Sequence, residues 1–269
     1  MNPRPKAGCV SQFYRSEGYQ PFLSTQSSLN VWDWIYRWVR GFSVRYKRHK
    51  IERLKSKGRI LDVGCGTGEF LNEMQKNDWE TVGVEKDEQA CEYAQKVYGL
   101  RVSTHDLSEF ERSETKFDVI SFWHVLEHLY APKQTLEICK SLLDDEGFIL
   151  VALPDIASFD ARFYREHWVA LDAPRHLHHF VPESLRALSH SAGLELVKFE
   201  QLILDAFFNC LMSERLIMSR KLNRKFVFPV YLLRGLLIAM TSLAVSSGIR
   251  QQWHRFGSSN LYYIRKEKD

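Results

Sequence analysis

Three glycines, Gly64, Gly66 and Gly68, fall inside residues 59–70 (RILDVGCGTGEF), where a β-branched run meets the start of a helical pattern. Glycine tolerates positive φ and lets a ligand approach the backbone, and a helix start offers unpaired N–H donors, so this turn is suited to holding a ligand. The spacing is GxGxG rather than the GxGxxG of dinucleotide sites, and Asp62 stands two positions before the first glycine. Its negative charge would oppose a diphosphate but suits an ammonium or sulfonium, which favours a cationic cofactor over NAD. Glu85, twenty-three positions after Asp62, offers a carboxylate that can accept two hydrogen bonds from a ribose diol. After a third apolar run, Asp106 offers an acceptor for an exocyclic adenine amine, and Leu107 an apolar wall for the ring.

A second group of residues is suited to act on whatever accepts the chemistry. His124, Glu127 and His128 in WHVLEH, and His176, His178 and His179 in PRHLHHF, supply imidazoles and a carboxylate. Such groups take a proton from a hydroxyl near neutral pH. His124 and His128 are four residues apart and are expected to share a helix face with Glu127 beside them. His124, His128 and His176 are the candidate catalytic residues, with His124 or His176 as the base. The same His/Glu set could hold a divalent ion, a secondary reading, and no metal ligands are assigned. Packing against the cofactor, capping and ion pairing are the structural alternatives for these side chains.

The elements that must position these residues read as an α/β domain. Between residues 59 and 153, RILDV, ETVGVE, LRVSTHD, FDVISFW and GFILVAL read as strands. They alternate with GEFLNEMQKND, DEQACEYAQKVYG and PKQTLEICKSLLDD, whose apolar residues recur at helical spacing. That rhythm predicts a doubly wound parallel sheet covered on both faces, with ligands at the carboxyl ends of the strands. Downstream, a helix is expected from about Pro182 to Gly193, then strands over 194–199 and near the C-terminus.

DVGCGTGEF, VGVE, HDL, FDVISFWHVLEHL and LLDDEGFILVALPD, in this order and spacing, resemble the class I S-adenosylmethionine-dependent methyltransferases. The resemblance covers residues 57–200 and the last strand. It implies a Rossmann-like seven-stranded sheet of order 3-2-1-4-5-7-6, with the seventh strand (259–265) antiparallel and 194–199 as the sixth. It also implies a site for S-adenosylmethionine and its product S-adenosylhomocysteine. In that site Asp62 and the turn at Gly64, Cys65, Gly66 and Gly68 hold the methionine part, Glu85 the ribose, and Asp106 with Leu107 the adenine. Lys86, Trp123 and His124 are further candidate contacts, and Tyr14 and Tyr19 in FYRSEGYQPF read either as a lid over the cofactor or as loose surface aromatics. Trp168, Arg175 and His179 are expected to wall the acceptor pocket. FWHVLEHL and HWVALDAPRHLHHF are similar to quinone-type, UbiG-like small-molecule methyltransferases and to relatives among bacterial cell-surface glycan enzymes. FWHV replaces the NPPY-like tetrapeptide of adenine and glutamine amino-methyltransferases, which argues for transfer to oxygen of a small molecule, sugar or lipid-linked acceptor. A silent cofactor-binding scaffold and an RNA methyltransferase are the alternatives.

Four stretches are expected: a lid and helical flank over 1–56, the core over 57–201, an apolar and basic helical insertion over 202–256, and the last core strand over 257–269. In the flank, Trp34, Tyr36, Trp38, Phe42 and Tyr46 recur among basic residues at helix-compatible spacing. Residues 226–249 carry one charge, Arg234, and follow Arg220, Lys221, Arg224 and Lys225. An arginine at a helix centre costs about 3 kcal/mol on insertion scales, which argues against a membrane span. Cover over the active site or a homodimer interface ranks first, and peripheral membrane contact second. Across 269 residues, 37 Lys and Arg against 33 Asp and Glu give a formal charge of +4, which does not call for a DNA partner. The five cysteines include no CxxC pair and the N-terminus has no apolar leader, so a reducing cytoplasmic location, peripheral to the membrane's inner face if the insertion touches it, is expected.

Overall fold

The computed structural model describes residues 5–6, 31–112, 115–219, 224–248 and 257–267. Seven strands form one sheet: β1 (Arg59–Val63), β2 (Glu80–Val84), β3 (Arg101–Ser103), β4 (Phe117–Trp123), β5 (Leu143–Pro154), β6 (Leu194–Gln201) and β7 (Ser259–Lys266). Their order is β3-β2-β1-β4-β5-β7-β6, with β7 antiparallel to both neighbours. This is the order the resemblance implies. The third strand is shorter than its apolar run suggested, covering three residues.

Consecutive residues of the central strands feed opposite faces. Leu61 and Ile120 join the core under α4 (Pro132–Leu142) and α6 (Pro182–Ser191), whereas Ile60 and Val119 join the core under α2 (Glu69–Gln75) and α3 (Glu88–Tyr98). Both faces are dry, which explains why β4 reads as an almost continuous apolar run. Helix α1 (Val31–Glu52) lies on the second face: Ile51 is fully buried, Tyr46 packs on the same core, and Arg48 pairs with Glu73 at 3.0 Å. Phe42 on this helix is exposed, so its aromatic residues do not all share the buried face.

Between β6 and β7 the chain makes a helical hairpin, α7 (Ile203–Ser219) and α8 (Arg224–Gly248). Its apolar residues join those of residues 159–171 in a third core. Cys210, Ile238 and Ala239 from the hairpin pack with Ala161 and Tyr164 of α5 (Phe159–Tyr164) and with Trp168 and Ala170 just beyond it. Asp160, fully buried, accepts from the Trp168 indole at 2.8 Å, Ser242 at 3.0 Å and Ser258 at 2.6 Å. One carboxylate therefore ties α5, α8 and the approach to β7. Trp168 was expected to wall the acceptor pocket; here it is a core residue whose only polar atom is already bonded.

Candidate active site

At the carboxyl end of β1 the chain makes three left-handed turns, with φ of 73° at Gly64, 55° at Gly66 and 80° at Gly68. A side chain at Gly64 would stand 2.5 Å from Val125 Cγ2, whereas one at Gly66 would meet no protein atom within 4 Å. Gly64 is thus needed for packing, and Gly66 for the open space in front of it. The Gly66 amide donates to Glu85 Oε2 at 2.8 Å and the Asp87 amide to Oε1 at 2.9 Å, so Glu85 draws the turn against the end of β2. Each carboxylate oxygen keeps a further lone pair for a ligand hydroxyl.

Asp62 is buried and accepts from Ser121 Oγ at 2.5 Å. Burial pushes its carboxyl up to about 7, an effect reduced by the Ser121 bond and by Lys47 and reinforced by Glu85. A carboxylate so starved of positive charge is a receptor for an ammonium group. Lys47 also lies 4.5 Å over the Trp123 ring. Two polar atoms beside this cradle, Thr67 Oγ1 and Trp123 Nε1, are buried without a hydrogen-bond partner. Open space at Gly66 and orphaned polar atoms around it fit S-adenosylmethionine at this turn. Burial drives the Cys65 thiol far above its ordinary range, so Cys65 is an inert wall rather than a nucleophile. Lys86 and Asp106 form an exposed pair at 3.4 Å, and Leu107 is buried at the start of a short 3-10 turn. Tyr14 and Tyr19 lie outside the described residues.

The histidines gather differently from the expected helix face. The strand ends at Trp123, His124 takes a left-handed φ of 59°, and only Leu126–His128 form a 3-10 turn. Instead of aligning with His128, His124 points Nε2 at Asp205 on α7, 2.9 Å away, and Nδ1 towards Glu127 at 3.6 Å. Burial opposes its charge, yet the carboxylates of Asp205 and Glu127 outweigh that and raise it to about 10.

Glu127 is 1% exposed and neither of its oxygens has a hydrogen bond. Burial alone would raise its carboxyl, but His124, His128 and His176 hold it below the ordinary range. His176 Nε2 lies 3.9 Å from Glu127 and 3.8 Å from Asp172, while Nδ1 meets the Ala170 carbonyl at 2.8 Å. A carbonyl only accepts, so Nδ1 carries the proton and Nε2 presents a lone pair. Burial lowers His176 to about 4, against the pull of Glu127. The same backbone logic fixes His128 Nδ1 on the Arg175 carbonyl at 3.0 Å and His179 Nε2 on the Leu171 carbonyl at 2.9 Å. Amides of Leu177 and His178 both donate to the Glu127 carbonyl, at 2.9 and 3.1 Å, which joins the two histidine segments. Arg175 is engaged with Asp172 at 2.6 Å.

Glu127, His128 and His176 each offer a ligand atom within 4.8 Å of the others. Of the charged groups here, Asp205 and Asp172 were not foreseen. Asp172 stands four residues before the histidine it faces, whereas Asp205 lies 81 residues from the histidine it holds.

Residues 39–198 match the family model described as "Methyltransferase domain", and the chain belongs to that family. Its sheet is that of the class I S-adenosylmethionine-dependent methyltransferases. It is 30% identical over 101 residues to a ubiquinone biosynthesis O-methyltransferase of Actinobacillus pleuropneumoniae, covering 34% of this chain and 43% of that one. With the protein of the same description from Maricaulis maris it shares 29% over 150 residues, 51% of this chain and 59% of the relative. The chain thus spans about half the length of these curated relatives. A solved SAM-dependent methyltransferase from Archaeoglobus fulgidus shares the fold, with TM-score 0.55 and 22% identity over 85% of this chain and 94% of the other.

Proposed function

We propose that this chain transfers a methyl group from S-adenosylmethionine to a hydroxyl oxygen of a small-molecule, sugar or lipid-linked acceptor. The observation that carries the proposal is the convergence of groups that can only accept: Glu127, buried with both oxygens unbonded, beside the Nε2 lone pair of His176. Such a pair calls for a donor, and an acceptor hydroxyl is one. The description of the relatives as O-methyltransferases supports oxygen as the methylated atom.

S-adenosylmethionine, when bound, supplies a methyl group already activated on a sulfonium. Asp62 and the glycine turn would hold its methionine end, Glu85 the ribose, and Asp106 with Leu107 the adenine. What remains for the protein is alignment and a proton. His124, raised to about 10, is already protonated at neutral pH and serves as a donor that fixes Asp205. His176 is the base because its Nδ1 is held on the Ala170 carbonyl, which leaves the Nε2 lone pair facing the site, with Glu127 and Asp172 at 3.9 and 3.8 Å to stabilise the imidazolium that forms.

Incubation of the chain with methyl-labelled cofactor and a cell extract, followed by identification of the labelled product, tests the proposal. Product labelled at oxygen is expected, with turnover reduced ~100- to 10,000-fold in His176→Ala and cofactor affinity nearly unchanged. Near-normal turnover in both His176→Ala and His124→Ala would remove the base from the mechanism.

A further inference from the structure

Helix α8 turns an apolar stripe to solvent. Val230, Leu233, Leu237 and Met240 recur at intervals of three and four, so they share one helix face, and they are 66%, 59%, 55% and 60% exposed. The opposite face, with Gly235, Ile238, Ala239 and Ser242, is buried. Arg234, the one charge between Lys225 and Arg250, is held by Glu214 through two bonds of 2.7 and 2.6 Å, so it does not break the apolar character of the stripe.

Charge along this part of the chain has one sign. No Asp or Glu occurs from residue 215 to residue 266, while Arg220, Lys221, Arg224 and Lys225 precede or open the helix and Arg250 and Arg255 follow it. Beside the stripe, a cavity of about 590 Å³ is lined by Arg162, Arg165, His167 and Arg234, with Glu166 as its one acid and Phe163 at its side. An apolar face flanked by cations at both ends complements an anionic lipid surface. A second copy of the chain would bring the same positive flanks and be repelled. No described helix is long and apolar enough to cross a membrane, whereas 25 residues lying flat extend about 37 Å along a surface.

We propose that α8 is an in-plane membrane helix: Val230, Leu233, Leu237 and Met240 enter the boundary between headgroups and acyl chains of an anionic bilayer, and Arg162 and Arg165 meet lipid phosphates at the mouth of the adjoining cavity. The inference goes beyond methyl transfer and does not depend on it. Flotation of the full chain with phosphatidylcholine vesicles, with and without phosphatidylglycerol, provides the test. The chain is expected to float with the anionic vesicles and to dissociate as salt is raised. Combined Leu233→Ser, Leu237→Ser and Met240→Ser should weaken partitioning at least ~10-fold, with S-adenosylhomocysteine affinity retained as a check that the exposed changes leave the fold intact. Arg162→Glu with Arg165→Glu should weaken binding to anionic vesicles alone. A chain that stays out of anionic vesicles at low salt, or a serine variant that floats like the wild type, overturns the proposal. So does self-association through this face, abolished by the serine changes, in a chain that ignores vesicles.

Discussion

Asp62 is the residue whose environment makes the sharpest solution prediction. Its carboxyl sits at about 7 because it is buried, with Ser121 and Lys47 only partly restoring the charged form. An ammonium ligand needs the carboxylate, so binding must displace the proton whenever the pH is below that value. Affinity for S-adenosylhomocysteine should therefore fall by up to about tenfold for each pH unit below about 7 and level off above it, until the ligand's own ammonium loses its proton at alkaline pH. Ser121→Ala removes a bond that favours the ionised form and should move the break to higher pH; calorimetry across the range checks both. Turnover has a different expectation, since His176 remains unprotonated until about pH 4 and should impose no limb of its own near neutrality. Glu127→Gln with a chelator separates proton transfer from metal assistance. Loss of activity on chelation, restored by a divalent ion in the wild type alone, would mean that Glu127, His128 and His176 hold a metal, whereas the proton-transfer account expects the chelator to have no effect.

Elements explain which parts of the site could be read in the sequence. The glycine turn and Glu85 lie where strand, turn and helix follow one another within a few residues, so local spacing carried them. His124 and Glu127 were visible as residue types, but their arrangement was not. A helical repeat and a strand followed by a left-handed residue and a 3-10 turn leave the same apolar spacing over so short a stretch. Pairing across the fold left no trace: Asp205 reaches His124 from the insertion, whereas Asp172 stands four residues before His176, in view in the sequence but on no regular element whose period would bring the two side chains together. The hairpin helices hold their register through similar long-range contacts. Glu214 is buried and accepts from Arg234 and, at 2.8 Å, from the Tyr164 hydroxyl. Glu214→Ala leaves a buried hydroxyl without a partner and should lower stability by about 1–3 kcal/mol in denaturant melts, with cofactor affinity little changed.

For the whole molecule, the two covered sheet faces were legible because they rest on a repeating pattern and the strand order because the motifs resemble a known family, whereas the third core was not. It forms where α7 and α8 fold back onto residues 159–171, and the composition of neither stretch says that the other is its partner. The insertion is thus built into the molecule rather than appended to it. Asp160 bonds Trp168, Ser242 and Ser258, so Asp160→Ala should cost more than any surface change, about 3 kcal/mol or more, and unfold the hairpin and the base-bearing loop together. Hydrogen exchange that stayed protected in α8 of this variant would show the hairpin to be independent of the core.

The claim on which the rest depends is that the turn after β1 is the cradle of S-adenosylmethionine. Calorimetric titration of S-adenosylhomocysteine and NAD into the wild type, Asp62→Ala and Gly66→Val tests it directly. A Cβ at Gly66 would meet no protein atom within 4 Å, so valine there adds mainly the strain of a left-handed residue, about 1–2 kcal/mol and more for a β-branched one, and the variant should fold. The account predicts saturable binding of S-adenosylhomocysteine to the wild type, none detectable for NAD, and loss of at least ~100-fold in affinity in each variant with its thermal transition still cooperative. Unchanged affinity in both folded variants, or NAD binding as tight as that of S-adenosylhomocysteine, would contradict it.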